Sequence, residues 1–256
     1  MPAPTPPAPA PTSYSCNGLA LCDDFESAAA GAMPDATKWA VGAPSCTGAG
    51  HLAIDGSVAH TGSHSVRVDG GIGYCDHIFF GSTAIAGLGP VVYGRFFVRL
   101  ASAAGSNHVT LMAMHDTNDD ANGNHEDLRM GMQNPGGRGV LMWNRMLDDA
   151  TLPVLSPAGV SMSVALPVQQ WSCVEFMVDQ SAARLQTWVD GSALPGLAID
   201  GVPTPDVDQA WLAQTPKWAP RLADFRLGWE SYGNQAMTLW FDDVALSSQR
   251  IGCAAR

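Results

Sequence analysis

Apolar and polar residues alternate in short runs along most of this chain. HLAID, HSVRVDG, VVYGRFFVRL, HVTLMAMH, DLRMGMQ, GVLMWNR, SVALPV, WSCVEFMVD, ARLQTWVDG, DFRLGWESY and MTLWFDDVAL follow one another as strand candidates, because side chains two apart share one face of an extended backbone. Turn pairs separate several of them, including Asp190-Gly191 and Gly233-Asn234, dipeptides that tolerate the left-handed φ of tight hairpins. No stretch carries a convincing helical period. Eleven strand candidates without helices predict an all-β fold, two antiparallel sheets packed as a β-jelly-roll sandwich.

Applied to single strands, the same alternation places candidate chemistry. In HVTLMAMH it puts His108, Thr110, Met112 and Met114 on one face, and Val109, Leu111 and Ala113 on the other. His115 then falls on the face opposite His108. In LRMGMQ the polar face carries Arg129, Gly131 and Gln133, and in DFRLGWESY it carries Arg226, Gly228, Glu230 and Tyr232. A glycine inside a strand marks close approach of a ligand or of another backbone. Together these faces would line a groove with acid, base and anion-neutralising groups. Taken alone, His108 reads first as a packed strand-end residue and only second as a catalytic base; its joint placement with these polar faces brings the two readings level.

Composition narrows the setting. The 256 residues are 46% hydrophobic and only 14% charged, with 27 Gly and 18 Pro, which suits one core of many strands joined by turns. Residues 1–15, opening MPAPTPPAPAPTS, are expected to be a Pro/Ala-rich linker stub, and residues 16–256 a single domain. A formal charge of -11 argues against nucleic acid or an anionic membrane as partner. No apolar run reaches the roughly 20 residues of a membrane span, and no signal segment opens the chain. The six cysteines lack zinc-site spacing and read as disulfides. The expected pairs are Cys16 with Cys22, Cys46 with Cys75, and Cys173 with Cys253; the two long loops would contribute roughly 3–5 kcal/mol each. Disulfides point to a secreted protein, here expected to be a monomer.

Acidic residues near both ends, Asp24 and Glu26 in DFE and Asp242 and Asp243 in WFDD, offer hard oxygen donors that could clamp first and last strands through calcium. The loop DTNDDANGNHED does not make a calcium loop. In the Asp116 register the required glycine is Ala121, and in the Asn118 register Arg129 stands where the bidentate Glu belongs. His115 and His125 have no supporting ligand spacing.

From Asp23 to Cys253 the chain carries CDDFES, VAHTGSHSVRV, GYCDHIFFG, GSNHVT, DDATLPVLSPAG, LGWESY and WFDDVALSSQRIGC. These stretches resemble the fungal cellulose-induced secreted protein family of the type-one kind and, more distantly, the glucuronan lyases of polysaccharide lyase family 20. The resemblance implies a jelly roll with a cleft on its concave sheet, a structural calcium ion, and β-elimination of a 4-linked uronate. It assigns His108 as base, Gln133 as the group on the substrate carboxylate, and Tyr232 as acid. Arg129 would support the carboxylate, while Asn144, Arg145 and Asp149 would line the cleft beside Glu230.

Trp143 stands where the family has a tyrosine and would keep a stacking surface for a sugar; Asp127 stands where it has a histidine and adds negative charge. For calcium the resemblance implies Asp24, Glu26, Asp242, the carbonyl of Thr61, and His64 in place of an asparagine. Cysteines 46, 75, 173 and 253 have counterparts as well. The expected function is a secreted, calcium-stabilised polysaccharide lyase. The alternative is a non-catalytic carbohydrate-binding protein of plant cell-wall degradation, which the acidic charge favours because it repels a polyanion.

Overall fold

The computed structural model describes residues 15–44, 46–105, 108–118, 120, 126–133, 139–145, 163–200, 218–232 and 235–254. Along these run β1 (Leu21–Asp23), β2 (Ala40–Gly42), β3 (His51–Asp55), β4 (Ser65–Gly70), β5 (Ile78–Ser82), β6 (Val91–Leu100) and β7 (Val109–Asp116). The second half holds β8 (Glu126–Gln133), β9 (Val140–Arg145), β10 (Trp171–Asp179), β11 (Arg184–Val189), β12 (Ser192–Ala193), β13 (Phe225–Ser231) and β14 (Met237–Ser247). An eight-stranded sheet runs β12-β11-β10-β6-β14-β4-β3, with β1 added on β14; a six-stranded sheet runs β2-β5-β13-β7-β8-β9. The named strands pair antiparallel throughout. This is the expected jelly-roll sandwich.

Ten of the eleven predicted runs contain strands; SVALPV contributes only isolated bridges at Ala165 and Val168. Strands β1, β2, β5 and β12 carried no alternation long enough to read. The Asp190-Gly191 turn joins β11 to β12, with φ of 50° and 80°, as a primed hairpin turn requires. Gly233-Asn234 and residues 1–14 of the proposed linker lie outside the described residues.

The core lies between the sheets, where Val66, Phe96, Val98, Phe176 and Phe241 of one meet Phe80, Met130, Trp143, Leu227 and Trp229 of the other. All three expected disulfides form: Cys16–Cys22, Cys46–Cys75 and Cys173–Cys253. The last ties the chain after β14 to β10. The second holds the short 3-10 turn Tyr74–Asp76 against the segment after β2.

One irregularity resets the candidate site. Thr110 pairs with Gly131 and Met112 with Met130, so Leu111 is an extra residue in β7. Against β13 the register shifts at the same place, between Leu227 and Glu230. A bulge inserts one residue and reverses the parity of everything beyond it. Met112 and Met114 therefore point into the core with Met130 and Leu128, while Ala113 and His115 join Thr110 and His108 on the other face. The sequence-based assignment of faces holds before Leu111 and is overturned after it.

The two glycines find their explanation here. A Cβ at Gly131 would run into the Val109 carbonyl oxygen, and one at Gly228 into the Ile78 carbonyl oxygen. Both accommodate neighbouring backbone at crowded strand pairs, not a space left for a ligand.

Candidate functional site

The face of the six-stranded sheet turned away from the core gathers most of the predicted site. His108 lies one residue before β7 and Tyr232 one residue after β13. The Tyr232 N–H donates to the His108 carbonyl at 3.0 Å, and their rings stack with centroids 5.3 Å apart and planes 22° from parallel. Backbone pairing of two adjacent strand ends thus fixes the proposed base beside the proposed acid.

Beneath them lies a buried ionic row. Arg129 donates to the Tyr232 hydroxyl, lies 2.9 Å from Glu230 Oε1, and reaches Asp127 Oδ2 at 3.8 Å. Arg226 pairs with Asp127 and with Asp224, the latter at 3.0 Å. Burial would lower the pKa of either guanidinium, yet the adjoining carboxylates hold both above the ordinary value. Burial and then Glu230 raise the Tyr232 phenol above its usual range, with Arg129 opposing. Tyr232 therefore stays protonated at neutral pH, as an acid must.

Gln133 ends β8 on this face, two residues from Gly131 and four from Arg129. Its Oε1, together with Thr110 Oγ1, Asn144 Oδ1 and Arg129 Nε, is buried and meets no hydrogen-bond partner among the described residues. Four such atoms on one face are unusual, since buried polar groups are nearly always paired.

Several predicted residues behave differently. Trp143 is 0% exposed, stands edge-on to Phe176 with centroids 5.9 Å apart, and donates Nε1–H to Thr187 Oγ1 of the opposite sheet at 2.8 Å. Its pairing with Met130 puts it on the core face, so it cannot stack on a sugar. Arg145, two residues further along β9, shares the parity of Trp143 and not that of Asn144. Asn144 does face the site side, opposite Arg129, but is buried there. Glu230 is likewise buried, engaged with Arg129 rather than open to a ligand. Asp149 and His125 lie outside the described residues.

Two contributors escaped the sequence reading, and a third was placed on the wrong face. Tyr74 is 42% exposed and sits 5.3 Å from the 46%-exposed ring of Tyr232, extending the aromatic surface that Trp143 does not supply. Its neighbour Cys75, held by Cys46, was the available signal. His77 is buried with Nδ1 2.9 Å from the Tyr74 carbonyl and 3.4 Å from Glu230, and Nε2 2.9 Å from the Pro44 carbonyl. His115, carried across by the bulge, lies 3.1 Å from Asp120 and 3.7 Å from Asp127. Beyond Arg226 the face continues into a cavity of about 210 Å³ between β2, β5 and β13, lined by Val41, Pro44, Phe79 and Asp224.

The predicted calcium ligands meet the 60–64 turn at separate points, Asp242 at His60 and Thr61, Glu26 at Ser63 and His64. Asp242 and Asp243 occupy a second bulge, in β14, where Asp243 has φ 47°. Asp242 accepts the N–H groups of His60 at 2.7 Å and Thr61 at 3.3 Å, and Asp243 accepts from the Thr61 hydroxyl at 2.8 Å. Burial and then Asp243 push the Asp242 carboxyl up to about 8. Two buried neighbouring carboxylates in that condition are suited to a hard cation. Glu26 accepts from the N–H groups of Ser63 at 2.8 Å and His64 at 2.7 Å, and His64 Nδ1 lies 3.3 Å from it. Asp24 accepts from the Glu26 N–H at 3.3 Å. Among the described residues no group of three or more His, Cys, Asp or Glu side chains is gathered as a metal cluster, so backbone carbonyls such as that of Thr61 would have to complete the shell.

Fold and site together define a polysaccharide-lyase-like jelly roll. The family model described as Polysacc_lyase-like, Cip1-like, core domain, matches residues 24–249, and the chain belongs to that family. Among solved structures, "Cellulose induced protein, Cip1" is 40% identical, covers 91% of this chain and 100% of its own, and has a TM-score of 0.78. The endo-beta-1,4-glucuronan lyase from the fungus Trichoderma reesei is 12% identical, with coverage of 93% and 94% and a TM-score of 0.51, which shows a shared fold. No curated protein sequence matches.

Proposed function

We propose that the protein is a secreted polysaccharide lyase that cleaves a 4-linked polyuronate by β-elimination. His108 takes the C5 proton, Gln133 hydrogen-bonds the C6 carboxyl oxygen, and Tyr232 protonates the departing O4. The observation that carries this reading is the fixed pair of His108 and Tyr232, with the phenol oriented by Arg129. The glucuronan lyase among the structural relatives supports it, as do three disulfides for secretion. No helix among the described residues is long and apolar enough to cross a membrane. The test is incubation with a panel of 4-linked polyuronates, expected to yield ultraviolet-absorbing unsaturated ends; no such product from any polymer sinks the assignment.

A structural calcium ion belongs to the same proposal, held by Asp24, Glu26, Asp242 and the Thr61 carbonyl, where it would bind the β1–β2 segment and the 60–64 turn to β14. An ion bound only by the folded state stabilises it by mass action, about 2.7 kcal/mol at a hundredfold excess over Kd. Chelation is therefore expected to lower the melting temperature by roughly 5–10 °C, reversed by added calcium. An unchanged melting curve and metal-free protein on elemental analysis would refute the site.

The exposed pair Tyr74 and Tyr232 favours a second reading, a carbohydrate-binding protein without turnover. In that case Tyr74→Ala should weaken glycan binding about 5- to 10-fold, as loss of one stacking ring does, while no polymer gives product. Unsaturated ends from the unmodified protein would exclude it.

A further inference from the structure

The cationic groups of the site are already occupied. Arg129 is held by Glu230 and Asp127, and Arg226 by Asp127 and Asp224. Two guanidiniums thus face three carboxylates, and even a doubly protonated His77 beside Glu230 would bring the set only to neutrality. A free uronate carboxylate would have to displace Glu230 from Arg129 and leave that buried carboxylate without its counter-charge, a costly exchange. The overall charge of -11 adds long-range repulsion.

The side chains that do await partners carry no net charge to spare. Thr110, Gln133 and Asn144 are neutral groups, suited to sugar hydroxyls and to an uncharged carboxyl, and the remaining unpartnered atom of this face, Arg129 Nε, belongs to a guanidinium whose charge Glu230 and Asp127 already balance. Thr110 and Asn144 are almost fully buried on the site side.

From this we infer that the site takes polyuronate units whose C6 carboxyl is uncharged, such as methyl esters, in preference to the free polyanion. The inference rests on the lyase reading above and deepens it. Removing the C5 proton next to a free carboxylate builds a second negative charge and requires a cation within reach. Next to an ester it builds a single enolate charge, which an amide donor such as the Gln133 carboxamide can stabilise. The step balances as an elimination: the C5–H pair becomes the C4=C5 bond, C4–O4 breaks, His108 keeps the proton, and Tyr232 supplies one to O4.

The experiment compares one polygalacturonate and one glucuronan, each as free acid and as methyl ester, with the full chain at about 0.15 M salt, where exposed charges act over only about 8 Å. Rates of unsaturated-end formation and retention in an affinity gel are both read. The esters are expected to react about tenfold faster or more and to retard the protein more strongly. Free acids that react as fast, or faster, overturn the inference and leave the lyase reading standing. If no polymer gives product, the lyase reading fails, and retention decides: stronger retardation by esters sustains the charge preference, equal or stronger retardation by free acids ends it. Glu230→Gln, which releases Arg129, should move the preference toward the free acid. A folded Glu230→Gln with an unchanged ratio also counts against it, and if this variant does not fold, the ratio for the unmodified protein stands as the test.

Discussion

Tyr232→Phe is expected to lower the rate of unsaturated-end formation by about 10²- to 10⁴-fold, the usual contribution of a positioned general acid. The substitution removes one oxygen and keeps the ring against His108 and Tyr74. Tyr232 is partly exposed, so the melting temperature should barely move, and substrate retention should survive because the aromatic surface is intact. His108→Ala should give a comparable loss of rate, but for want of a proton acceptor. If both folded variants retain most of the activity, another pair carries the chemistry and the role of this strand-end contact is structural. Arg129 separates from both: it touches the phenol and two carboxylates, and acts as a positioning residue whose loss would also disturb the buried ionic row.

Trp143→Ala is expected to be the most damaging single substitution for stability, at about 3–5 kcal/mol. The indole is fully buried, packs on Phe176, and bridges the sheets through Thr187. For a domain of this size that loss corresponds to a fall in melting temperature of roughly 10 °C. Thermal unfolding followed by near-ultraviolet circular dichroism measures it. Binding by the fraction that remains folded should be unchanged, whereas Tyr74→Ala should show the reverse pattern. A stable Trp143→Ala variant that has lost glycan binding would contradict the core position of this side chain.

Much of the architecture was legible because alternation reports burial directly. Strands such as β3, β6 and β10 bury one face against the opposite sheet and expose the other in part, so their period of two survives in the sequence. Strands β7, β8, β9 and β13 are buried almost throughout, and the face away from the core carries buried ion pairs. There the polar members of each strand still revealed the site face: Arg129 and Gln133 on β8, Arg226 and Glu230 on β13. The short strands β1, β2 and β12 hold two or three residues each, too few to show any period.

The sequence by itself determined the all-β class and put His108, Arg129, Gln133 and Tyr232 together as companions on one face, through local periodicity and motif; cysteine count points only to disulfides, and their expected pairing was settled by the structure. Only the tertiary structure decided the bulge at Leu111, which a one-residue insertion makes invisible to periodicity and which carries His115 to the same face as His108. It also decided that Trp143 faces the core, where only the β8–β9 register distinguishes it from Asn144. And it decided that Asp127 and Glu230 consume the charge of Arg129. Salt-bridge partners come from two strands far apart in the chain, and their pairing exists only once β8 and β13 are set on either side of β7.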